Sequence, residues 1–276
     1  MLFNKNKNFC DINPMCFAIS EQKEILKRHI KNAMDKTPQA HTLYKKKLPN
    51  VLSYNSSHLI KHGKGIDPVL QKNKAVNIKI ACKKLNGMII RPGEEFSFWR
   101  TIGKTTKRKG YRKGRVLVQS ELKPDFGGGL CNLANTINLL VLHSPMKITE
   151  LHTHSDALAP DAHGRVPFSS GTSISYNYVD YRFKNTTKQN LQLFVWCADN
   201  MLHGELRNQR PFPMEYDLVE EDHHFHKEGD TYYRISKIYQ TTTSKKTGKV
   251  VKKDLIWDNH SKVLFDYSQI PPDQIR

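Results

Sequence analysis

Apolar positions recur at helical spacing in three places along the chain. Leu26, Ile30, Ala33 and Met34 follow Ser20, which has an N-cap side chain, and Glu21 and Glu24 sit where a helix dipole favours acid; together they predict a helix over 20–34. Val76, Ile80 and Ala81 share one face of a second helix over 73–86, with Gly87 placed as the left-handed residue beyond its end. Leu133, Ile137, Leu140 and Val141 stand at i, i+4, i+7 and i+8 and predict an amphipathic helix. Its narrow polar side is Asn132, Asn135 and Asn138, and Pro145 ends it.

Elsewhere the pattern is extended. Residues 88–103 read as strand, turn at Pro92–Gly93, then strand through Phe96 and Phe98, and 116–122 read as another strand. Three further strands are expected at 172–183, 191–198 and 201–207. Residues 231–257 read as a hairpin turning near Lys246-Thr247-Gly248, after an acidic, histidine-rich joint at 215–230 that reads as a solvated loop. The stretch 36–68, rich in lysine and broken by Pro38, Pro49, Gly63, Gly65 and Pro68, reads as a long irregular connection. Helices and strands do not alternate regularly, so the expected class is α+β, mixed helices and antiparallel strands with a C-terminal β-hairpin appendage. The expected organisation is an N-terminal helix and irregular extension over 1–72, a core over 73–207, and the joint and hairpin over 208–276.

Composition adds a charge argument. Lys and Arg number 44 against 26 Asp and Glu, a net charge of +18, which favours an anionic partner: nucleic acid, acidic headgroups or an anionic polymer. The most basic tract is 104–115, either a binding surface or a solvated loop; Tyr111 lies inside it, but no nucleic-acid motif accompanies it, which makes nucleic acid the weakest of these partners. Five cysteines (Cys10, Cys16, Cys82, Cys131 and Cys197) cannot all pair and show no CxxC doublet, as expected for free thiols in a reducing compartment. His223, His224 and His226 sit among acids but are too close together in sequence to share a tetrahedral site readily, so neither a metal nor any other cofactor is assigned. No signal-peptide core and no apolar run of membrane-spanning length is visible, so the expected location is cytoplasmic, with peripheral membrane contact open; the oligomeric state is not legible.

The candidate chemistry centres on Cys131. Gly127, Gly128 and Gly129 precede it, and glycines admit positive φ and close approach of backbone amides to a bound group. A thiol at a helix start is stabilised as thiolate by at most about 2 kcal/mol, roughly one and a half pKa units below an ordinary ~8.5. An efficient nucleophile also needs a base. His152 and His154 are the candidates, and Asp156 or Asp161 could orient either one. Gly128, Gly129 and Asn132 are candidate donors to an oxyanion. Cys131 is accordingly expected to be the most reactive of the five thiols. The alternative is a cysteine used as a small buried hydrophobe after a packing turn.

Four segments, PGEEFSFWRTIG (92–103), GGGLCNLANTI (127–137), HSDALAPDAHGRVPFSSGT (154–172) and YNYVDYRFKNTT (176–187), resemble in this order the VanW family, proteins linked to glycopeptide-resistance gene clusters. The resemblance runs from about 73 to 197 and extends upstream through the helix containing Leu26–Ile30, as in short members without an export signal. The family's Gly-Gly-Gly-x-Cys motif falls on Gly127, Gly128, Gly129 and Cys131, its His-Ser on His154 and Ser155, and its Pro-Asp on Pro160 and Asp161. Many members carry glutamine after the cysteine, where this chain has Asn132, one methylene shorter. The resemblance implies a role in glycopeptide resistance or envelope metabolism but no defined reaction. Two readings follow. One is thiol-dependent acyl transfer or hydrolysis on a cell-wall precursor peptide, with Cys131, His154 and Asp161 as the working set. The other is a non-catalytic module binding anionic envelope components.

Overall fold

The computed structural model describes residues 9–61, 67–118, 121–154, 156–157, 160 and 171–276. In chain order the elements are α1 (Pro14–Met34), β1 (Thr42–Leu43), β2 (Asn50–His58), α2 (Pro68–Leu85), β3 (Met88–Ile90), β4 (Glu95–Ser97), α3 (Phe98–Ile102), β5 (Lys113–Val118), β6 (Glu121–Phe126), α4 (Leu130–Leu142), β7 (Lys147–Glu150), β8 (Asp156–Ala157), β9 (Arg182–Lys184), β10 (Leu191–Ala198), β11 (Met201–Asn208), β12 (Met214–Glu228), β13 (Thr231–Ser244) and β14 (Val250–Val263). The mixture is α+β, as the pattern predicts.

Two helices start earlier than their apolar spacing suggests, and for one reason. Asn13 accepts the Cys16 amide at 2.8 Å with Pro14 at the first helical position, and Asp67 accepts the Val69 amide at 2.7 Å with Pro68 in the same place. Proline lacks the N–H that would go unsatisfied there and has the right φ, so an Asx-Pro pair is a stronger start than Ser20, which lies inside α1.

The core is built on a five-stranded antiparallel sheet, order β1-β3-β10-β11-β2. β1 and β2 correct the reading of 36–68 as irregular: β2 pairs with β11 along its length, from Asn50↔Asn208 to His58↔Met201. Its polar, half-exposed side chains hide it from a hydrophobicity pattern, because it is an edge strand with few apolar contacts to make. β10 and β11 turn through Asp199 and Asn200, both at positive φ, as a tight hairpin requires. Ile78, Ala81 and Leu85 of α2 and Leu133, Ile137, Leu140 and Val141 of α4 bury against Leu193 and Val195 of β10 and Leu202 and Leu206 of β11. α4 lies close on β11 because Gly204 leaves room where a Cβ would overlap Leu140.

A smaller sheet, β4-β9-β7, stacks Phe96 on Phe183 with ring centroids 4.8 Å apart. The expected strand over 172–183 reduces to β9 and two isolated bridges, one between Ser175 and Val179 and one from Thr172 to Thr153. The chain turns there to bring Asp180 inside, where it accepts from Ser97 Oγ at 2.5 Å and from the Trp99 amide at 3.0 Å. Phe98 belongs to α3 rather than to a continuing strand, since Ser97 caps that helix through the Arg100 amide.

The C-terminal region is larger than a hairpin. The acidic, histidine-rich stretch is not a solvated loop but β12, and β12, β13 and β14 form an antiparallel meander that β8 joins in parallel at Lys262↔Asp156. A bulge at Asp222, φ +54°, shifts the register between Glu221 and His224. The hairpin turn near Thr247-Gly248 is where the sequence puts it. The meander meets the core where Ile238 packs on Leu142 and Leu139, and Gln240 Nε2 donates to the Leu142 carbonyl at 2.5 Å.

Candidate functional site

Gly129, at φ +93°, is the N-cap of α4, so Cys131 stands in the helix's first turn as expected. The turn is held from beneath by Asn77 of α2. This fully buried amide donates to the carbonyls of Arg112 and Gly128 at 2.9 and 3.0 Å and accepts from the Arg112 amide at 2.8 Å. Gly128 lies directly against Gly114 of β5, where any Cβ on either residue would collide with the other's backbone. The glycine run is thus required for packing.

Four amides of this turn are already occupied. Gly127 donates to Arg112 at 3.1 Å, Gly128 to Asp125 at 3.1 Å, Leu130 to Gly127 at 3.4 Å and Asn132 to Gly129 at 3.1 Å. Asn132's side chain faces β2, accepting from Ser57 Oγ at 3.1 Å and donating to the His58 carbonyl at 3.4 Å. Of the three candidate oxyanion donors, Gly128 and Asn132 therefore have protein acceptors, and Gly129 serves as the cap.

The Cys131 thiol is part-buried and points at the Ile174 carbonyl, 3.9 Å away. Burial pushes its pKa up, against smaller opposing effects of the hydrogen bond to Ile174 and of its own amide. This reverses the expected direction, because removing water from the sulfur outweighs what one helix terminus supplies. His154 lies near Gly171, and burial pushes its imidazole pKa down, opposed by Asp156. The Ser173 amide donates to the His152 carbonyl at 2.8 Å and Thr153 bridges Thr172, so 152–154 run beside 171–174. Cys131 and His154 thus border one segment, but among the described residues no hydrogen bond joins them. Ser155 and Asp161 lie outside the described residues.

Another cysteine has the opposite electrostatics. Cys197 of β10 accepts from the buried Cys82 thiol of α2, and that hydrogen bond, helped by Lys79, pulls its pKa down while Cys82 is pushed up. Cys197 and Lys79 line a cavity of about 320 Å³ with Leu59, Ala75 and Asn200.

Elsewhere charge is compensated inside the fold. Arg28 of α1 holds Glu150 by two bonds of 2.6 Å and also reaches the Tyr178 carbonyl. Arg182 bonds Asp180 at 2.8 Å and Asn32 at 2.6 Å, and Arg100 bonds Asp35 at 3.1 Å. The basic tract is different: none of its basic side chains enters a salt bridge among the described residues, whose pairs lie on other elements. Tyr111 is 1% exposed, its pKa pushed up to about 12 by burial, so its ring cannot stack on a base. His223, His224 and His226 are spread along β12, where His226 Nδ1 contacts the Arg276 carbonyl; no three His, Cys, Asp or Glu side chains converge as metal ligands among the described residues. No described helix is long and apolar enough to cross a membrane.

Sequence reasoning missed Asn77 and Lys74, both on the buried face of α2. A signal existed for Lys74: it stands at i relative to Ile78, Ala81 and Leu85 at i+4, i+7 and i+11, a charge on an apolar stripe.

Comparison with known proteins agrees with the motifs. Residues 73–207 match the family model described as VanW like protein. The vancomycin B-type resistance protein VanW of Enterococcus faecalis is 27% identical over 226 residues, 82% of this chain and 82% of that protein. The uncharacterized protein YoaR of Bacillus subtilis is 28% identical over 118 residues, 43% of this chain but only 37% of YoaR. No solved structure matches the chain. By these matches residues 73–207 form a VanW-like domain, and the similarity to the Enterococcus faecalis protein extends beyond it over most of the chain.

Proposed function

We propose that this protein acts in glycopeptide resistance or envelope metabolism by binding an anionic component of the cell envelope, rather than by covalent chemistry at Cys131. The observation that carries this reading is the division of charge. The core's carboxylates at Asp35, Glu150 and Asp180 are matched to arginines, whereas among the described residues no basic side chain of 104–115 is held in a salt bridge and only Lys104 feels a carboxylate, Glu21, at longer range. Cations left without internal partners gain most from an anion outside. The matching experiment is co-sedimentation of the full chain with purified cell walls, before and after their anionic polymers are stripped, at rising salt. Retention on intact walls that falls with salt and with stripping is expected; no retention at low salt would overturn the reading.

The thiol reading retains specific support. Cys131 does stand in the first turn of a helix behind a glycine turn, and His154 borders the same segment. It would have Cys131 attack an amide or ester of a wall-precursor peptide to form a thioester, with His154 taking the thiol proton and passing it to the amine or alcohol that leaves as the C–N or C–O bond breaks, and Asp161 orienting the ring. It requires His154 to move into hydrogen-bond reach and water to reach the sulfur.

A further inference from the structure

We propose that Lys61, Lys74 and Arg115, gathered around the glycine turn at the start of α4, form a subsite for a phosphate-class oxyanion, with diphosphate the best match. Lys74 is the centre of the argument. It is 9% exposed, and its aliphatic stem crosses the N-cap of α4 so closely that a Cβ on Gly129 would overlap Lys74 Cβ, Cγ and Cδ. Among the described residues no carboxylate or carbonyl is hydrogen-bonded to its amine. The stem is buried while the amine tip is not sealed from solvent, so an external anion can reach it and offset the cost of partial desolvation.

Two more cations are fixed around it by the backbone. The Lys61 amide donates to Gln71 Oε1 at 3.1 Å, and Gln71 lies one turn before Lys74 on α2. Arg115 follows Gly114, whose backbone abuts Gly128, and Asn73 Nδ2 ties α2 to the Lys113 carbonyl at 2.8 Å. Their proximity is felt at Lys74, where burial and then repulsion from Lys61 and Arg115 lower the amine's pKa to about 8. No opposing carboxylate contributes. Three neighbouring cations overcompensate one carboxylate but match a multiply charged phosphate group.

This site deepens the anion-binding reading and rests on it, yet the two can fail separately. The test is calorimetric titration of the full chain with inorganic pyrophosphate, inorganic phosphate and acetate. Pyrophosphate should bind most tightly and acetate least. Lys74→Met keeps the stem over Gly129 and should weaken pyrophosphate about tenfold or more, with smaller losses for Lys61→Gln and Arg115→Gln. A variant carrying Lys107→Glu, Arg108→Glu and Lys109→Glu should bind pyrophosphate as the parent does while losing wall retention. Competition by a nucleoside diphosphate supports the site with a soluble ligand. Competition by neutral vesicles carrying a prenyl diphosphate supports it with a lipid-linked one. Equal pyrophosphate affinity in the parent and a folded Lys74→Met variant, or acetate binding as tightly as pyrophosphate, would overturn the site, whatever the wall assay shows. Failure of the parent chain itself to be retained on walls at low salt, with its pyrophosphate binding intact, would overturn only the broader reading.

Discussion

Cys131 and Cys197 differ in the direction burial and partners move their protons. Cys131 is pushed up by desolvation, whereas Cys197 is pulled down by the Cys82 thiol and Lys79. Iodoacetamide at neutral pH, read site by site by mass spectrometry, should therefore modify Cys197 before Cys131, with Cys82 last. A Cys131 that reacts first, and slows when His154 is replaced by alanine, would restore the thiol reading. Lys74 gives a second residue-scale prediction. Its pKa is lowered from 10.5 to about 8, so between those values the unfolded chain binds more protons and stability rises with pH. The cost is fully present below pH 8. Lys74→Met should remove it, stabilising the protein at neutral pH by on the order of 2 kcal/mol and flattening the slope above pH 8 in denaturant titrations. Cys131 was legible because a glycine run before an apolar helix is a local pattern. The occupied amides and the Gly114–Gly128 contact were not, since they depend on β5 arriving from elsewhere.

At the scale of elements, α1 is the least secured. It buries no residue, exposes Met15, Ile19, Leu26, Ile30 and Met34, and is held largely through polar contacts from Arg28 and Asn32. Arg28→Ala should loosen its docking by about 2–3 kcal/mol, seen as faster hydrogen exchange across 14–34 while α4 stays protected. Unchanged exchange would show that other contacts suffice. The same pair predicts acid sensitivity. Burial pushes the Glu150 carboxyl up, but hydrogen bonds from His152 and Arg28 outweigh it and hold it at about 2, below its ordinary 4.5, so its contribution is complete above pH 4.5 and is lost as pH falls toward 2. Asp180, raised by burial, has the opposite sign and offsets part of that loss. Helix positions are readable from periodicity, but neither Asx-Pro start is, and Asp67-Pro68 falls in the stretch that reads as a connection: proline punctuates loops and opens helices alike, and the cap before it decides which. β2 is hidden because its partner, β11, is remote in sequence, and both β2 and β12 because their side chains mostly face water.

For the whole molecule, the sheet links residues far apart in sequence. A chain ending at Arg210 should keep a cooperative thermal transition at a lower temperature, because the meander meets the core along a side seam around Leu142 and Ile238 and through β8, and not through the central sheet. A chain beginning at Asn73 should not fold cooperatively, because it lacks β1, β2 and the Asp67 cap of α2. Equal melting of that fragment and the full chain would refute this. The net charge of +18 belongs to this scale too, since it is the sum left after the internal pairs are made. The most direct measurement of binding against thiol chemistry is wall retention as a function of salt for three chains: the parent, Cys131→Ala, and the variant with Lys107, Arg108 and Lys109 all replaced by Glu. The account predicts that Cys131→Ala is retained like the parent and that the charge variant is released at lower salt. Retention that depends on Cys131 and ignores the three charges would contradict it.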